Sequence, residues 1–286
     1  EIMENDCVLI LDYGSQYTQL IARRVRELKV YSEILNNEVS IDRIHSCNPK
    51  AIILSGGPNS VYDKNAYTLN RDILDLDIPI LGICYGMQLL MHYSGANVSS
   101  SDNREYGPAN ITINEFDTIF KDVNPQTKVW MSHGDRITSY SDEWDVLAKS
   151  DNEIIAAASH KNKPFIGVQF HPEVIHTTEG DKILSNFIFE IAKCHPSWTS
   201  KNFISNTITK IQEKVGNKNV ICGISGGVDS SVMGALMHKA IGKQAKFIFI
   251  NHGLLRKNEE DDVMNSLKDG LGMDIQCIND EAAFLK

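Results

Sequence analysis

A cysteine flanked by glycines is the first candidate for chemistry in this chain. The segment Gly82–Gly86 reads Gly-Ile-Cys-Tyr-Gly and overlaps an apolar stretch, Pro79–Ile83, that predicts a strand. Small residues allow the tight strand-to-helix turn from which a nucleophile projects at the carboxyl edge of a parallel sheet. The helix predicted over Met87–Tyr93 places Cys84 at a helix N-terminus, where free N–H groups favour the thiolate. The pattern therefore predicts a nucleophilic Cys84.

A second apolar strand is followed by a histidine and a glutamate that complete the set of groups such a nucleophile needs. His171 is the candidate general base, and Glu173, two residues later, is the candidate carboxylate that orients the imidazole. Amide hydrolysis also requires donors for the developing oxyanion. The backbone N–H of Gly57, in the loop Ser55–Pro58, and the N–H of Tyr85 are the candidates. Together these residues predict a Cys–His–Glu triad with an oxyanion hole.

Three segments that carry these groups resemble the class I, triad-type glutamine amidotransferases: Leu81–Gln88, Ser55–Pro58 and Gly167–Glu173. The resemblance extends over roughly residues 7–193. It implies that Cys84 forms a γ-glutamyl thioester and that ammonia is released. It also implies that further residues hold the glutamine, with Asp135 facing its α-ammonium group; these are Gln88, Ser132, His133 and Asp135. For His133, a structural role as a hydrogen-bonding histidine in a turn is the commoner case.

A glycine-rich loop later in the chain predicts a phosphate site. Its residues are Ser225, Gly226, Gly227, Val228, Asp229, Ser230 and Ser231. They follow a predicted strand and open a predicted helix, so backbone N–H groups converge where an anion can bind. Asp229 is a candidate Mg²⁺ ligand, directly or through water. The loop matches neither the Walker pattern nor the dinucleotide fingerprint, and it resembles the PP-loop of ATP pyrophosphatases, which cleave ATP between its α- and β-phosphates.

The order of the two halves is similar to the GMP synthetase family, as are four local motifs: Leu11–Tyr17, Trp130–Asp135, His171–His176 and Asn251–Lys257. The resemblance implies that ammonia from glutamine aminates xanthosine monophosphate (XMP) after ATP-driven adenylation, with Mg²⁺, giving GMP, AMP and pyrophosphate. It also implies a homodimer when the full C-terminal region is present, and acceptor-binding residues outside this sequence. The alternatives are a stand-alone glutaminase and a non-catalytic fragment that senses glutamine or nucleotide. CTP synthetase is disfavoured because its synthetase half does not use a PP-loop.

Charge and cysteine usage limit the class of protein. A net charge of −9 argues against nucleic-acid binding, which requires a basic face. The basic group Arg23, Arg24, Arg26 and Lys29 is predicted to be the solvated side of a helix. The six cysteines are scattered without a CxxC pair, and no apolar run has the length of a membrane span, so we expect a cytoplasmic protein. Four of the cysteines are interpreted as small hydrophobes: Cys7, Cys47, Cys222 and Cys277.

Alternating short apolar runs and helical patterns predict an α/β protein with two open, largely parallel twisted sheets flanked by helices, one sheet per domain. The pattern stops at 194–200 and restarts beyond, which predicts a glutaminase domain over 1–196 and the first part of a pyrophosphatase domain over 197–286. Strands are predicted at Cys7–Asp12, Tyr31–Leu35, Ala51–Ser55, Pro79–Ile83, Ile111–Asn114, Val129–Met131, Ile154–Ala158, Phe165–Phe170, Asn219–Ile224, Ala245–Ile250 and Met273–Ile278. Further helices are predicted at Gly180–Lys193, Phe203–Lys214, Asp229–Ile241 and Glu259–Leu271.

Overall fold

The computed structural model describes residues 6–116 and 119–285, although not the side chains of 100–105. The described chain divides into two compact units, one that ends at Trp198 and one that begins at Thr199. Each unit contains a β-sheet with helices beside it. The predicted α/β class is therefore confirmed.

The sheet of the first unit contains nine strands in the order β2-β1-β3-β4-β9-β8-β7-β5-β6. The strands are β1 Cys7–Asp12, β2 Tyr31–Asn36, β3 Ala51–Leu54, β4 Ile80–Ile83, β5 Asn97–Ile113, β6 Gln126–Ser139, β7 Trp144–Ser150, β8 Ile155–His160 and β9 Phe165–Val168. Pairing is parallel from β2 to β9 and antiparallel from β9 to β6. The carboxyl ends of the parallel strands therefore meet at one edge, where a site can form.

The helices of the first unit follow individual strands. They are α1 Thr18–Glu27, α2 Ile41–Cys47, α3 Tyr85–Tyr93 and α4 Gly180–Ser185, with a 3₁₀ turn at Arg71–Asp75 and a π-turn, Asn186–Ile191, that continues α4. In α1 the buried residues are Thr18, Ile21, Ala22 and Val25, which recur at the spacing of one helical face.

Side-chain alternation along β1 divides the apolar core between the two faces of the sheet. Val8 and Ile10 join the cluster beneath α1 and α4, and Leu9 and Leu11 join the cluster beneath α3. All of these side chains are fully buried, which is the burial expected of a strand covered on both faces. Each such side chain contributes about 1.5–3 kcal/mol relative to an exposed position. These clusters hold the sheet rigid beneath its carboxyl edge.

The antiparallel part of the sheet is larger than predicted. β5 and β6 extend far beyond the short predicted strands, and β7 was not predicted at all. The segment around His133, predicted as a turn, lies inside β6. The reason is that β6 pairs with β5 along most of its length, and backbone pairing holds polar residues in a strand that their side-chain pattern does not indicate.

The second unit repeats the parallel arrangement on a smaller scale. Its elements are α5 Ser200–Val215, β10 Val220–Ile224, α6 Val228–Ile241, a 3₁₀ turn at Gly242–Gln244, β11 Ala245–Asn251, α7 Glu259–Val263 with a π-turn continuing over Met264–Asp269, β12 Ile275–Asn279 and α8 Glu281–Phe284. The strands pair in parallel in the order β10-β11-β12. Phe247 and Phe249 of β11 are buried at the centre of its core.

Within 6–116 and 119–285, no helix combines the length and the apolar character that crossing a bilayer requires.

Gly86 provides a test of how tightly α3 is held against β3. A Cβ atom at Gly86 would overlap the backbone carbonyl of Leu54, which cannot move without disturbing β3. We expect Gly86→Ala to lower the free energy of unfolding of the first unit by about 2–3 kcal/mol, measured by denaturant titration. Gly223→Ala, whose added Cβ faces open space in β10 of the second unit, is the control and should change the free energy of unfolding of that unit by less than about 0.5 kcal/mol. Equal effects of the two substitutions would contradict this packing.

Candidate active site

Cys84 lies at the turn between β4 and α3, in a backbone conformation that non-glycine residues rarely adopt. Its φ is 51° and its ψ is −107°. The turn is so tight that a Cβ on Gly82 would lie only 2.6 Å from the carbonyl oxygen of Gly86. Such strain persists only where surrounding structure imposes it, and it projects the side chain from the end of the strand. The turn predicted around Cys84 is therefore present.

Pairing of β4 with β9 places the histidine beside this turn. Ile83 pairs with Val168, and the Cys84 N–H donates a hydrogen bond to the Val168 carbonyl at 2.8 Å. Beyond β9, the His171 N–H donates to the Trp130 carbonyl of β6 at 3.0 Å. Residues that are 87 positions apart in the sequence are thus held by backbone hydrogen bonds on either side of one cleft.

The side chains of Cys84, His171 and Glu173 form a connected and buried group. His171 Nδ1–H donates to Glu173 Oε1 at 2.7 Å, and the imidazole also hydrogen-bonds to the Cys84 thiol. Burial lowers the pKa of His171, but the Glu173 carboxylate and the bond to Cys84 outweigh it, so the pKa is raised well above its ordinary value. The arrangement therefore favours an imidazolium beside the sulfur at neutral pH, which is the electrostatic condition for a cysteine nucleophile.

Arg24 and Thr177 support this group, and neither was recognised in the sequence. Arg24 Nε–H donates to the Glu173 carbonyl at 3.1 Å, and the Thr177 hydroxyl donates to the His171 carbonyl at 2.6 Å. Arg23, Arg26 and Lys29 are exposed as predicted, whereas Arg24 is only 23% exposed because its side chain reaches the Glu173 carbonyl. A contact over 149 residues leaves no local signal in the sequence.

A cavity of about 470 Å³ opens at Cys84 and brings together the other predicted residues. Its lining includes both predicted oxyanion donors and all four predicted glutamine-binding residues: Gly57, Tyr85, Gln88, Ser132, His133 and Asp135. Asp135 Oδ2 is buried and, among the described residues, has no hydrogen-bond partner. An unpartnered buried carboxylate oxygen favours a cationic or hydrogen-bond-donating ligand.

His133 and Gln88 both contact the backbone of Asp135. His133 Nδ1–H donates to the Asp135 carbonyl at 2.9 Å, and Gln88 Nε2 donates to the same oxygen at 3.1 Å. Gln88 Nε2 also donates to Gln169 Oε1 at 3.2 Å. These bonds hold Asp135 at the cavity wall, and Gln169 is a further buried residue of the site that the sequence did not single out.

A smaller cavity, of about 250 Å³, reaches Cys84 and His171 from the loop after β1. Asp12 Oδ1 accepts hydrogen bonds from the Gly14 N–H and the Thr18 hydroxyl, which fixes this loop at the start of α1. The ring of Tyr17 meets that of His171 edge-on, with centroids 5.1 Å apart. The loop therefore forms a wall of the candidate active site beside His171.

The predicted phosphate loop joins β10 to α6 in the second unit. Gly226 has a φ of +73°, and a Cβ there would lie 2.9 Å from Glu259 Oε1. The hydroxyls of Ser230 and Ser231 donate to the Gly227 carbonyl at 3.1 and 2.9 Å, which closes the loop. The loop is partly exposed at the N-terminus of a 14-residue helix, where unpaired N–H groups suit an anion.

A cavity of about 380 Å³ beside this loop is lined by Gly226, Ser231, Arg256, Lys257 and Glu259, among others. Arg256 is exposed, and its backbone N–H donates to Glu259 Oε2 at 2.8 Å. Asp229 lies in the first turn of α6 with an exposed side chain. Within the described residues, no cluster of three or more His, Cys, Asp or Glu side chains could hold a metal ion. A single carboxylate with nucleotide phosphates nevertheless fits Mg²⁺, which uses few protein ligands.

The two halves of the chain match two different protein families. Residues 9–191 match the family "Glutamine amidotransferase class-I" and residues 200–283 match the family "NAD synthase". The chain belongs to the class-I glutamine amidotransferases. The resemblance inferred from the sequence, to that family and to the PP-loop enzymes, is confirmed.

Curated relatives of this amidotransferase chain carry the name "GMP synthase (glutamine-hydrolyzing)". One from Brachyspira hyodysenteriae is 51% identical over 280 residues, which cover 98% of this chain and 54% of that protein. One from Bacillus subtilis is 48% identical over 281 residues, which cover 98% of this chain and 55% of that protein. The chain thus spans about half the length of the curated relatives that it matches.

Solved structures support the fold. A Thermoplasma acidophilum protein, described as one subunit of a GMP synthase, aligns with a TM-score of 0.57 and 29% identity, covering 66% of this amidotransferase chain and 95% of that protein. A glutamine amidotransferase from Thermotoga maritima aligns with a TM-score of 0.51 and 19% identity, covering 84% and 92% of the two chains. At that identity, the second likeness shows the fold alone.

Because Glu173 helps to raise the pKa of His171, the free energy of unfolding depends on pH. The stabilisation from the pair is fully present below the unfolded histidine pKa of about 6.5 and is lost as the pH rises through the raised folded value. We expect Glu173→Gln to lower the pKa of His171 and to cost about 3 kcal/mol below that unfolded value, with a smaller loss at alkaline pH. Denaturant titrations across pH measure this difference.

Glu153→Gln is the control for that experiment, because Glu153 pairs with Lys149 at the surface at 2.9 Å. Its effect should stay below about 0.5 kcal/mol. A loss for Glu173→Gln that is the same at acidic and alkaline pH would contradict the coupling between Glu173 and the His171 imidazolium.

Proposed function

We propose that this chain hydrolyses glutamine to glutamate and ammonia at Cys84, His171 and Glu173. The observation that carries the proposal is the buried group of Cys84, His171 and Glu173. Cys84 also lines a cavity whose wall includes Asp135, with a buried carboxylate oxygen that has no partner among the described residues. The class-I amidotransferase family supports the same chemistry.

In the proposed reaction, the Cys84 thiolate attacks the side-chain amide carbon of glutamine and forms a tetrahedral adduct. His171 gives its proton to the departing nitrogen, so that the carbon–nitrogen bond breaks, ammonia leaves and a γ-glutamyl thioester remains. A water molecule, deprotonated by His171, then attacks the thioester. The carbon–sulfur bond breaks, glutamate is released, and the Cys84 thiolate and the protonated His171 are restored, so one water is consumed for each ammonia formed. Glu173 holds the imidazole and offsets its positive charge in both steps.

Donors for the oxyanion and contacts for the substrate come from the cavity wall. We assign the oxyanion hole to the backbone N–H groups of Gly57 and Tyr85. Asp135 accepts from the α-ammonium group of glutamine through Oδ2. Ser132 and the Oε1 side of Gln88 complete the contacts, and His133 acts mainly by holding Asp135.

Within the longer protein, we propose that the second unit uses ATP to activate XMP for amination by this ammonia. The XMP carbonyl oxygen attacks the α-phosphorus of ATP, pyrophosphate leaves, and ammonia then displaces AMP to give GMP. The loop Ser225–Ser231 binds the phosphates through backbone N–H groups and hydroxyls. Mg²⁺, when bound, neutralises phosphate charge, and Asp229 is its proposed ligand. Relatives named GMP synthase support this assignment.

We also propose how the protein is divided into domains. The glutaminase domain is assigned to 1–196 and the pyrophosphatase domain begins at 197, near the point where the chain divides into two compact units. We assign homodimer formation to the longer protein. A cytoplasmic location accords with six free cysteines.

Replacement of the nucleophile tests the glutaminase. We expect Cys84→Ala to reduce glutamine hydrolysis by about 10⁴-fold or more, because no other group forms the thioester. In the full-length protein, amination with added ammonia should persist. Cys194→Ala is the control, since burial raises the pKa of Cys194 to about 12 and it lies outside the cavity. Loss of both glutamine- and ammonia-dependent amination in Cys84→Ala would contradict a separate ammonia-producing site.

Asp229 tests the pyrophosphatase. In the full-length protein with ATP, Mg²⁺, XMP and ammonia, we expect Asp229→Ala to slow pyrophosphate release by about 100-fold or more, because Mg²⁺ loses its protein ligand. Asp269→Ala, an exposed carboxylate elsewhere in the second unit, should leave the rate unchanged. Unchanged pyrophosphate release in Asp229→Ala would overturn the assignment of Asp229.

A further inference from the structure

Gln169 is a fully buried polar residue that strand register places beside the nucleophile. It follows Val168, the partner of Ile83, so Gln169 and Cys84 occupy the next positions along β9 and β4. The Cys84 N–H donates to the Val168 carbonyl, and the Gln169 N–H donates to the Ala156 carbonyl, each at 2.8 Å. Gln169 is 0% exposed. Its backbone is therefore held from both neighbouring strands.

The hydrogen bonds of Gln169 determine which end of its side-chain amide faces the sulfur. Its Oε1 accepts from Gln88 Nε2 at 3.2 Å, and Gln88 Nε2 also donates to the Asp135 carbonyl at 3.1 Å. Because the oxygen end is engaged by Gln88, the amino end is directed at Cys84, with Nε2 donating to Sγ at 3.7 Å. Gln88 is itself only 3% exposed. An amide without partners in such a site would cost stability, so the network maintains this orientation.

Negative charge on the sulfur requires such a donor. Sγ lies 3.5 Å from the Ser132 carbonyl oxygen, which can accept from a thiol but disfavours a thiolate. His171 is one hydrogen-bonding partner of the sulfur, and Gln169 is a second donor that carries no charge and does not titrate. The titratable groups that surround the site are His171, Glu173, His133, Asp135, Asp63, Tyr17, Tyr85 and Tyr106.

We propose that Gln169 is a positioning residue that fixes the Cys84 sulfur and stabilises its thiolate through the Nε2–H hydrogen bond, with Gln88 setting the orientation of the amide. The assignment rests on the proposed hydrolysis of glutamine at Cys84. It gives Gln88 a role in the catalytic geometry as well as at the cavity wall. His171 then transfers protons, while Gln169 keeps the sulfur in place without exchanging any.

Substitution by methionine tests this role, because it keeps the approximate size of the side chain and removes the donor. The rate of Cys84 alkylation by iodoacetamide is measured against pH on the full chain, with the Cys84 peptide followed by mass spectrometry. We expect the midpoint of the profile to move upward in Gln169→Met by about one pH unit, which is about tenfold in rate below the midpoint. A folded Gln169→Met protein with the wild-type midpoint would overturn the proposal.

Ser32→Ala is the matched control. Ser32 is also fully buried in the same sheet, but it hydrogen-bonds to Ala22 and Arg26 on α1. It should change stability without moving the alkylation midpoint. A purely structural role for Gln169 predicts the same behaviour as Ser32→Ala, so the midpoint separates the two roles.

A second variant covers the case in which Gln169→Met does not fold. Gln88→Met leaves the Gln169 amide in place and removes the bond that orients it, so we expect a shift in the same direction and about half as large. An unchanged midpoint in Gln88→Met would then overturn the proposal.

Glutamine hydrolysis separates this inference from the proposed function. In Gln169→Met we expect kcat to fall about tenfold with little change in KM, because the sulfur and not the substrate has lost a contact. If the wild-type chain fails to hydrolyse glutamine, the proposed function fails. The alkylation profile still decides the role of Gln169, since iodoacetamide does not depend on glutamine binding.

Discussion

Parallel pairing of β4 with β9 is the constraint on which the catalytic group depends. One register, Ile83 opposite Val168, places Cys84 at the end of one strand beside Gln169, and it sets His171 across the cleft. A slip of one residue would turn every side chain of β9 to the other face. The register is secured by apolar residues on both faces of these strands, so the hydrophobic core and the chemistry are determined by the same backbone hydrogen bonds.

Around this pairing, charge is balanced in a buried site. The pKa of His171 is raised because the Glu173 carboxylate and the bond to Cys84 outweigh burial. Elsewhere burial alone dominates: it raises the pKa of Cys7 and of Cys194 to about 12, and these thiols stay protonated. Cys84 differs from these two cysteines in its neighbours, because its sulfur accepts a hydrogen bond from Gln169 and interacts with His171.

The loop after β10 is suited to an anion by a different physical route. The loop is largely exposed. It is held by hydrogen bonds from its own hydroxyls to the Gly227 carbonyl and by the left-handed conformation of Gly226. Its Ser230 and Ser231 hydroxyls close the loop and hold the backbone at the start of α6, where free N–H groups suit a phosphate. A buried covalent site and an open phosphate loop suit the two proposed half-reactions, one that forms a thioester and one that admits a large nucleotide.

Local sequence predicted the parallel core and most of the residues that the structure brings together around Cys84. Apolar runs predicted β1 to β4, and glycines marked the turn at Cys84 because only small residues fit against the Leu54 carbonyl. His171, Glu173 and the phosphate loop were predicted from local motifs, and the glutamine-binding residues were predicted from the resemblance to the amidotransferases. Only the tertiary structure decided the long antiparallel ribbon of β5 and β6, whose polar residues are held by pairing. It alone revealed Arg24 at Glu173 and Gln169 at Cys84, since contacts over 149 and 85 residues leave no periodicity to read.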